Sequence, residues 1–427
     1  MRHKNIWQPF TILKGTLEPV KVKSGNGAYL HLDDGRKVLD CISSWWVNVH
    51  GHGHPTIAKA IYEQALKLEH VIFAGFTHDP AEQLAEKITS KLPKSLNRVF
   101  YSDNGSTAIE VALKMSYQYW QNVGEDRKTF ICFDGAYHGD TLGAMSVGER
   151  GNFFANTFND LLFDVEVLPY PETWLEDTDR AHKEDHVIDI LEQLLDKNPT
   201  KYAGIIMEPL IQGAGGMRMC SKEFLQQVHW VNRQFNVLLI FDEVMTGFGR
   251  TGDYFACLKA QVEPDIICLS KGITGGFTPL AATVCSDHIY DTYNTDDPLK
   301  TFWHAHSYTA NPIGCVAGVA SWDLLAENEQ TFKTMEAIHL KNRTLIKDHP
   351  RLKNFRVTGT IAAVDILNDE ADGYYNSIAN DIKKRCLDLG YLFRPLGNVF
   401  YVMPPYCVTE EEIGGMYSAL MELILEL

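Results

Sequence analysis

The sequence has no surplus of basic residues. Against 55 Asp and Glu stand 39 Lys and Arg, a formal net charge of −16 over 427 residues. Binding a nucleic-acid backbone needs a basic face, so no nucleic-acid partner is expected, while small anions need only a few local donors. Long apolar runs are also missing. Nothing approaches the roughly 20 residues that cross a bilayer, and the opening MRHKNIWQPF lacks the apolar core of a secretory signal. None of the nine cysteines belongs to a CxxC pair, which removes a zinc ribbon and a thioredoxin motif. Several sit inside apolar runs, such as Cys132 in TFICF and Cys268 in IICLS, and read as buried reduced thiols. There is no internal repeat and no low-complexity tract. These absences leave an acidic protein expected in the cytoplasm, with no membrane partner and length enough for a sizeable core without disulfides.

From about residue 98 to 285, short apolar runs alternate with longer mixed segments. The runs are RVFYS (98–102), TFICF (129–133), AGIIM (203–207), VLLIF (237–241), DIICLS (265–270) and LAATV (280–284). Little alternation within them predicts strands buried on both faces. Apolar spacing at Ala108, Val111, Ala112, Met115 and Tyr119 predicts a helix over 106–124, and 58–69 and 224–235 also read as helices. Strand–helix alternation predicts an α/β layer architecture with a mainly parallel sheet between helices. The ends differ. Residues 20–40 read as antiparallel strands turning at Asp33-Asp34-Gly35. Residues 354–366 and 391–403 are strand-like, with a turn at Leu396-Gly397-Asn398, and helices are expected over 376–389 and 409–426. The polar stretch Glu176 to His186 reads as a solvated loop. The expected organisation is a large α/β domain over 51–311 and a smaller α+β domain built from 1–50 and 312–427.

Candidate chemistry collects where these strands end, the edge at which open α/β sheets bind ligands. Lys271 follows DIICLS and precedes a Gly-rich turn. Partial burial there would lower its amine pKa and make it a nucleophile towards carbonyls, although an ordinary surface lysine would look the same. Asp242 ends VLLIF, where it could equally cap a helix. Together, a lysine for imine formation and a carboxylate for a pyridinium nitrogen are what a pyridoxal phosphate enzyme requires. Asp103-Asn104-Gly105-Ser106-Thr107, after RVFYS and before the long helix, is either an anion site or a plain cap. Tyr137 in GAYHGDT could stack on a ring or pack in the core. Two patterns are set aside. Gly247-Phe-Gly-Arg-Thr-Gly252 matches GxGxxG but does not directly join a strand to a helix. His50, His52 and His54 lie in a Gly-spaced loop with no carboxylate or thiol to complete a metal site, so no metal is expected.

Six ordered segments then carry a resemblance: NGSTAIEVALKM (104–115), GAYHGDTLGAMS (135–146), EPLIQGAGGM (208–217), FDEVMTGFGRTG (241–252), SKGITGG (270–276) and HSYTANP (306–312). The chain resembles the class III (omega) aminotransferases, fold-type I pyridoxal phosphate enzymes, nearly end to end. Within that class IWQPF (6–10), SSWWVNVHGHGHP (43–55), QYWQ (118–121) and LFRPLGNVFYVMPP (392–405) look like the branch that aminates 8-amino-7-oxononanoate in biotin biosynthesis. The resemblance implies that Lys271 holds the cofactor covalently, Asp242 pairs with its ring nitrogen and Tyr137 stacks on the ring. Gly105 and Ser106 would bind its phosphate, with Ser307 of a neighbouring subunit in a homodimer. Glu208 and Gln212 would lie near the cofactor. Arg394 would meet the acceptor's distal carboxylate, a task suited to a planar fork. Trp45 and Trp46 would wall the cleft, with Phe10 and Arg250 beside it. The implied amino donor is S-adenosylmethionine or lysine. Trp45-Trp46 resembles the first type, Phe10 and HSYT the second. Other omega-aminotransferase substrates, such as ornithine, 4-aminobutyrate or a diamine, and a non-catalytic cofactor-binding or scaffold protein stay open as alternatives.

Overall fold

The computed structural model describes residues 5–14, 18–149, 156–370, 372–373 and 376–426. The first four residues of the amino-terminal stretch analysed above lie outside them. At the centre is a seven-stranded sheet in the order Leu96–Ser102, Ala281–Ser286, Ile266–Leu269, Leu238–Asp242, Tyr202–Met207, Thr129–Phe133, Val165–Leu168. All pairings are parallel except the two made by Ala281–Ser286, which runs against both its neighbours. The inner strands are buried along their whole length, as their near-continuous apolar sequences require when helices cover both faces. The helix Gly105–Asn122 covers one face with Ala108, Val111, Ala112, Met115 and Tyr119 turned inward, and Trp120 donates its indole N–H to the Ala203 carbonyl at 2.8 Å.

The chain ends meet. Strands Val22–Asn26, Tyr29–Leu32 and Lys37–Asp40 form an antiparallel set that Tyr391–Leu392 joins in parallel, with Leu392 opposite Asp40. A three-stranded sheet of Leu352–Thr358, Ile361–Ile366 and Val399–Val402 lies nearby. Two departures from the sequence reading have local causes. Residues 176–186 are not wholly a loop, because a helix runs Arg180–Lys197. Its first turns are polar, and only Glu184, Val187, Ile188, Leu191 and Leu195 face the core. The edge strand Val165–Leu168 was not expected; it pairs on one side only and is mostly half-exposed, so its sequence carries no apolar run.

Arg356 ties the terminal sheet to the central part. It is almost fully buried, donates to the carbonyls of Met217 (2.7 Å), Gly216 (2.7 Å) and Asn354 (2.8 Å), and pairs with Asp365 at 2.8 Å. Removing one partner of a buried ion pair strands the other charge. Arg356→Ala is therefore expected to cost about 3–5 kcal/mol of stability, read as a fall in denaturant midpoint at unchanged slope; Arg356→Lys, lacking the fork, should recover only part of it.

Candidate active site

The carboxyl ends of five strands of the central sheet, Tyr202–Met207 with its Glu208 among them, open onto one cavity of about 550 Å³. The strand Leu238–Asp242 delivers Asp242. The adjoining Ile266–Leu269 delivers Ser270 and Lys271. The strand Leu96–Ser102 leads into Asp103, Asn104, Gly105 and Ser106, and Thr129–Phe133 leads towards Tyr137, His138 and Gly139. Asp242 stands opposite Cys268 in the ladder, so Lys271 emerges three residues past the carboxylate's own level.

Asp242 is buried and its oxygens are oriented: Oδ2 lies 2.7 Å from His138 Nδ1, and Oδ1 accepts the Val244 N–H at 3.0 Å. The far ring nitrogen of His138, Nε2, is buried with no protein partner among the described residues, as is the Thr278 hydroxyl at the cavity wall. Buried polar groups are seldom left unpaired, so both atoms point to an occupant or ordered water. Glu208 accepts the Tyr137 N–H at 3.1 Å and the Gly213 N–H at 2.8 Å. Burial pushes its carboxyl up to about 7, helped by Asp242 and opposed by His138 and the two amides. Burial moves the Lys271 amine the other way, below its ordinary range, against the pull of Asp242 and Glu208. A buried amine that gives up its proton readily is a nucleophile and a base. Lys271 also has φ of +33°, a backbone cost of order 1–3 kcal/mol that only a surrounding structure of many contacts sustains.

The start of the helix Gly105–Asn122 is shaped for an anion. Asn104 and Thr107 cap it reciprocally, Asn104 Oδ1 accepting Thr107 N–H at 3.0 Å and Thr107 Oγ1 accepting Asn104 N–H at 3.1 Å. The cap uses up Thr107 and leaves Gly105 and Ser106 facing the cavity. A Cβ on Gly105 would stand 2.7 Å from Val244 Cγ1, and one on Gly139 would collide with the Ser106 side chain. Glycine at both positions lets three segments close into a cradle. Glu110, one turn further on, accepts from Thr141 Oγ1 (2.6 Å), Gly143 N–H (2.8 Å) and Ala144 N–H (3.2 Å), which fixes the Tyr137 loop against this helix.

The outer half of the cavity is aromatic. Trp46 is buried over Lys271, whose Nζ lies 4.9 Å from the ring centroid, and donates its indole N–H to Tyr401 Oη at 3.0 Å. Trp45 is 41% exposed, meets Phe10 edge-on at 5.5 Å, and carries the Arg394 guanidinium 4.0 Å above its ring, a cation–π arrangement. Phe277 and Tyr401 complete the wall.

Of the residues singled out from the sequence, Phe10, Trp45, Trp46, Gly105, Ser106, Tyr137, Glu208, Asp242, Lys271 and Arg394 line this one cavity. Three do not. Gln212 spends its amide on the Asp134 carbonyl and Arg218. Arg250 is buried behind the wall, donating to the carbonyls of Pro404 (2.9 Å) and Trp46 (3.3 Å), so it supports the tryptophan from outside. Ser307 is exposed on a loop away from this subunit's cavity. His138, Tyr401, Phe277 and Thr278 were missed. His138 adjoins Tyr137 and was readable as a partner for a buried carboxylate; Tyr401 lies within LFRPLGNVFYVMPP and Phe277-Thr278 directly follow SKGITGG, but neither segment shows which of its side chains turn to the cavity. Glu243, next to Asp242, instead caps the helix at Ala256 and Cys257 (2.6 and 2.8 Å). The histidines of HGHGHP diverge, His50 to Ser321 and His52 to Asp40. The GxGxxG segment forms turns and is followed by no long helix.

The family model for class-III aminotransferases matches residues 14–424. The chain is 53% identical, over 425 residues covering 100% of it and 99% of the relative, to a protein of Synechococcus elongatus named adenosylmethionine-8-amino-7-oxononanoate aminotransferase. A protein of that name from Geobacter sulfurreducens is 39% identical, covering 99% of this chain and 96% of its own. Among solved structures, the enzyme of that name from Methanocaldococcus jannaschii superposes with a TM-score of 0.91 at 34% identity, covering 99% of this chain and 97% of the other. An amine transaminase from an uncultivated Pseudomonas species, solved with pyridoxal phosphate bound, gives 0.92 at 29% identity with 100% and 99% covered.

Two outcomes test the site. Gly105→Ala should weaken retention of pyridoxal phosphate by about 10-fold or more, because Val244 or the helix start must shift; equilibrium dialysis of the cofactor measures it. Ionised Glu208 raises the proton affinity of Lys271, so Glu208→Gln should move the acidic limb of the activity profile, where Lys271 gains its proton, to lower pH and remove an inflection near pH 7, as a pH series of kcat and kcat/KM would read out.

Proposed function

This chain belongs to the class III aminotransferases, and from that premise we propose that it transfers an amino group onto 8-amino-7-oxononanoate to form 7,8-diaminononanoate, a step of biotin biosynthesis, with S-adenosylmethionine as donor. The observation that carries the reading is the single cavity that holds Lys271 beneath Trp46, the buried Asp242, and Arg394 stacked on Trp45. The 53% identical relative of that name, matched over its whole length, supports the same acceptor and donor.

Pyridoxal phosphate, the cofactor of this family, accepts the amino nitrogen and the electrons released from the adjacent carbon. The cavity's residues fit it: a helix start for the phosphate, a buried carboxylate for the ring nitrogen, and unpaired polar atoms at His138 and Thr278. In our assignment Gly105 and Ser106 hold the phosphate with backbone N–H groups and the helix dipole. Asp242 would hold a proton on the pyridine nitrogen; His138, 2.7 Å from Oδ2, keeps its carboxylate aimed. Tyr137 and Val244 border the ring. Lys271 holds the cofactor at rest. Once displaced by the incoming amine, its neutral Nζ would carry the proton from the carbon losing nitrogen to the cofactor carbon that gains it, and would carry one the opposite way in the second half-reaction. Trp46, roofing that amine, excludes water from the transfer. Arg394 receives the acceptor's distal carboxylate, and the aliphatic chain lies along Phe10, Trp45 and Tyr401.

We further propose a homodimer in which Ser307 of one subunit reaches the phosphate site of the other. Leu299, Trp303 and Tyr308, on the same segment, present 65–88% of their surface, large apolar side chains of the kind that an interface would cover. Among the described residues no helix is long and apolar enough to cross a membrane.

Lys271→Ala should abolish both half-reactions and the near-visible absorbance of the lysine-bound cofactor; turnover with that band intact would overturn the assignment. In a single turnover of holoenzyme, S-adenosylmethionine alone should convert the cofactor to its aminated form, whereas rapid conversion by lysine alone would replace the donor. Arg394→Met should raise KM for 8-amino-7-oxononanoate roughly 10- to 100-fold, the worth of a charged hydrogen bond, and leave an analogue without the distal carboxylate unaffected.

A further inference from the structure

The loop that carries the two cavity tryptophans does not hold its shape by intrinsic preference. Ser43 (φ +51°), Ser44 (φ +59°) and Trp46 (φ +69°) all lie in the left-handed region, which residues with a Cβ seldom enter. One carboxylate outside the cavity organises them. Asp40, with no exposed surface, accepts the Ile42 N–H on Oδ1 at 3.1 Å. Its Oδ2 accepts the Ser44 N–H at 2.7 Å, the Ser44 hydroxyl at 3.3 Å, and lies 2.8 Å from His52 Nε2. Four partners saturate the acceptor capacity of a carboxylate. His52 is held in turn. Its backbone exchanges hydrogen bonds with Gly27 at 2.7 and 3.1 Å, and a Cβ on Gly25 would stand 2.6 Å from His52 Cβ, so only glycine admits the ring there. Asp40 also stands opposite Leu392, two residues before Arg394. The tryptophan loop and the strand leading to Arg394 thus share one anchor.

We propose that Asp40 and His52 are a positioning pair for substrate recognition: their hydrogen-bonded contact holds Ser43–Trp46 in the conformation that sets Trp46 over Lys271 and Trp45 under Arg394, so acceptor affinity depends on two residues that do not touch the acceptor. The inference rests on the reading of Trp45, Trp46 and Arg394 as acceptor-binding residues. His52, one of the three histidines of HGHGHP, thereby acquires a function. Removing the His52 ring frees one side of Asp40 and lets the loop relax towards ordinary backbone angles, carrying Trp46 with it.

The test uses holoenzyme and a mutant cycle. His52→Ala should raise KM for 8-amino-7-oxononanoate about 10-fold with kcat changed less than about twofold, since a small displacement of a positioning group is enough to cost that much. His52→Gln, whose side-chain N–H₂ can donate to Asp40, should bring KM back to within about threefold. In a Trp46→Phe background the His52→Ala effect should shrink below about twofold, because coupled residues are not additive. An unchanged KM, an equal rise in both backgrounds, or a rise that follows lost thermal stability and is not rescued by Gln would each overturn the proposal. Asp40→Asn, which turns an acceptor towards the Ser44 N–H into a donor, should have the larger effect; if it fails to fold, the His52 series decides. If the wild type does not aminate this acceptor, the functional reading fails separately. The pair is then judged by near-ultraviolet circular dichroism, which His52→Ala should alter in the wild-type background and leave unaltered with Trp46→Phe; no change in either background would overturn it.

Discussion

Two neighbouring strands locate the chemistry. Leu238–Asp242 and Ile266–Leu269 run parallel with Asp242 opposite Cys268, so the carboxylate and Lys271 are placed relative to each other by main-chain hydrogen bonds. Side-chain flexibility enters only at the last step. A slip of one residue would turn Asp242 to the other face of the sheet. Burial then tunes the groups the ladder delivers. Lys271 is pushed towards the neutral amine and Glu208 towards the neutral acid, while Asp242 is stabilised as an acceptor by His138 and the Val244 amide. Lys271 and Glu208 coexist in one pocket because burial disfavours the charged form of each, lowering the proton affinity of the amine and raising that of the acid.

The rest of the site is built on backbone that would not be chosen for stability. Lys271, Phe10, Ser43, Ser44 and Trp46 all have positive φ. Such strain persists where surrounding contacts over-determine it. Those contacts are visible: Asp40 for the serine loop, Arg250 on the Trp46 carbonyl, and the Ser43 hydroxyl on the Met403 carbonyl at 2.9 Å. Glycine at 105 and 139 has the complementary task of allowing close approach. The glycine cradle and the tryptophan wall therefore belong to different parts of the chain, and each is supported from behind.

How much of this was legible beforehand follows from how local each signal is. The inner strands announce themselves because burial on both faces demands apolar runs, and the positions just after them mark where ligands bind. Lys271, Asp242, Gly105 and Ser106 were readable for that reason. The edge strand Val165–Leu168 and the helix beginning at Arg180 were not, since half-exposed elements leave weak patterns. Gln212 and Arg250 were expected near the ligand because they sit within motifs; the structure turns Gln212 to Arg218 and puts Arg250 behind Trp46. Motif membership fixes a neighbourhood, not the direction of a side chain.

The sequence by itself determined the layer architecture and the strand ends, which follow from apolar period, and the family with its cofactor, through the resemblance that its ordered motifs carry. Only the tertiary structure decided that Tyr401 pairs with Trp46 across 355 residues, that His138 serves Asp242 across 104, and that Asp40 and His52 stand behind the tryptophan loop. Those contacts arise when the two chain ends pack together, and a hydrogen bond between distant segments leaves no periodicity in either of them.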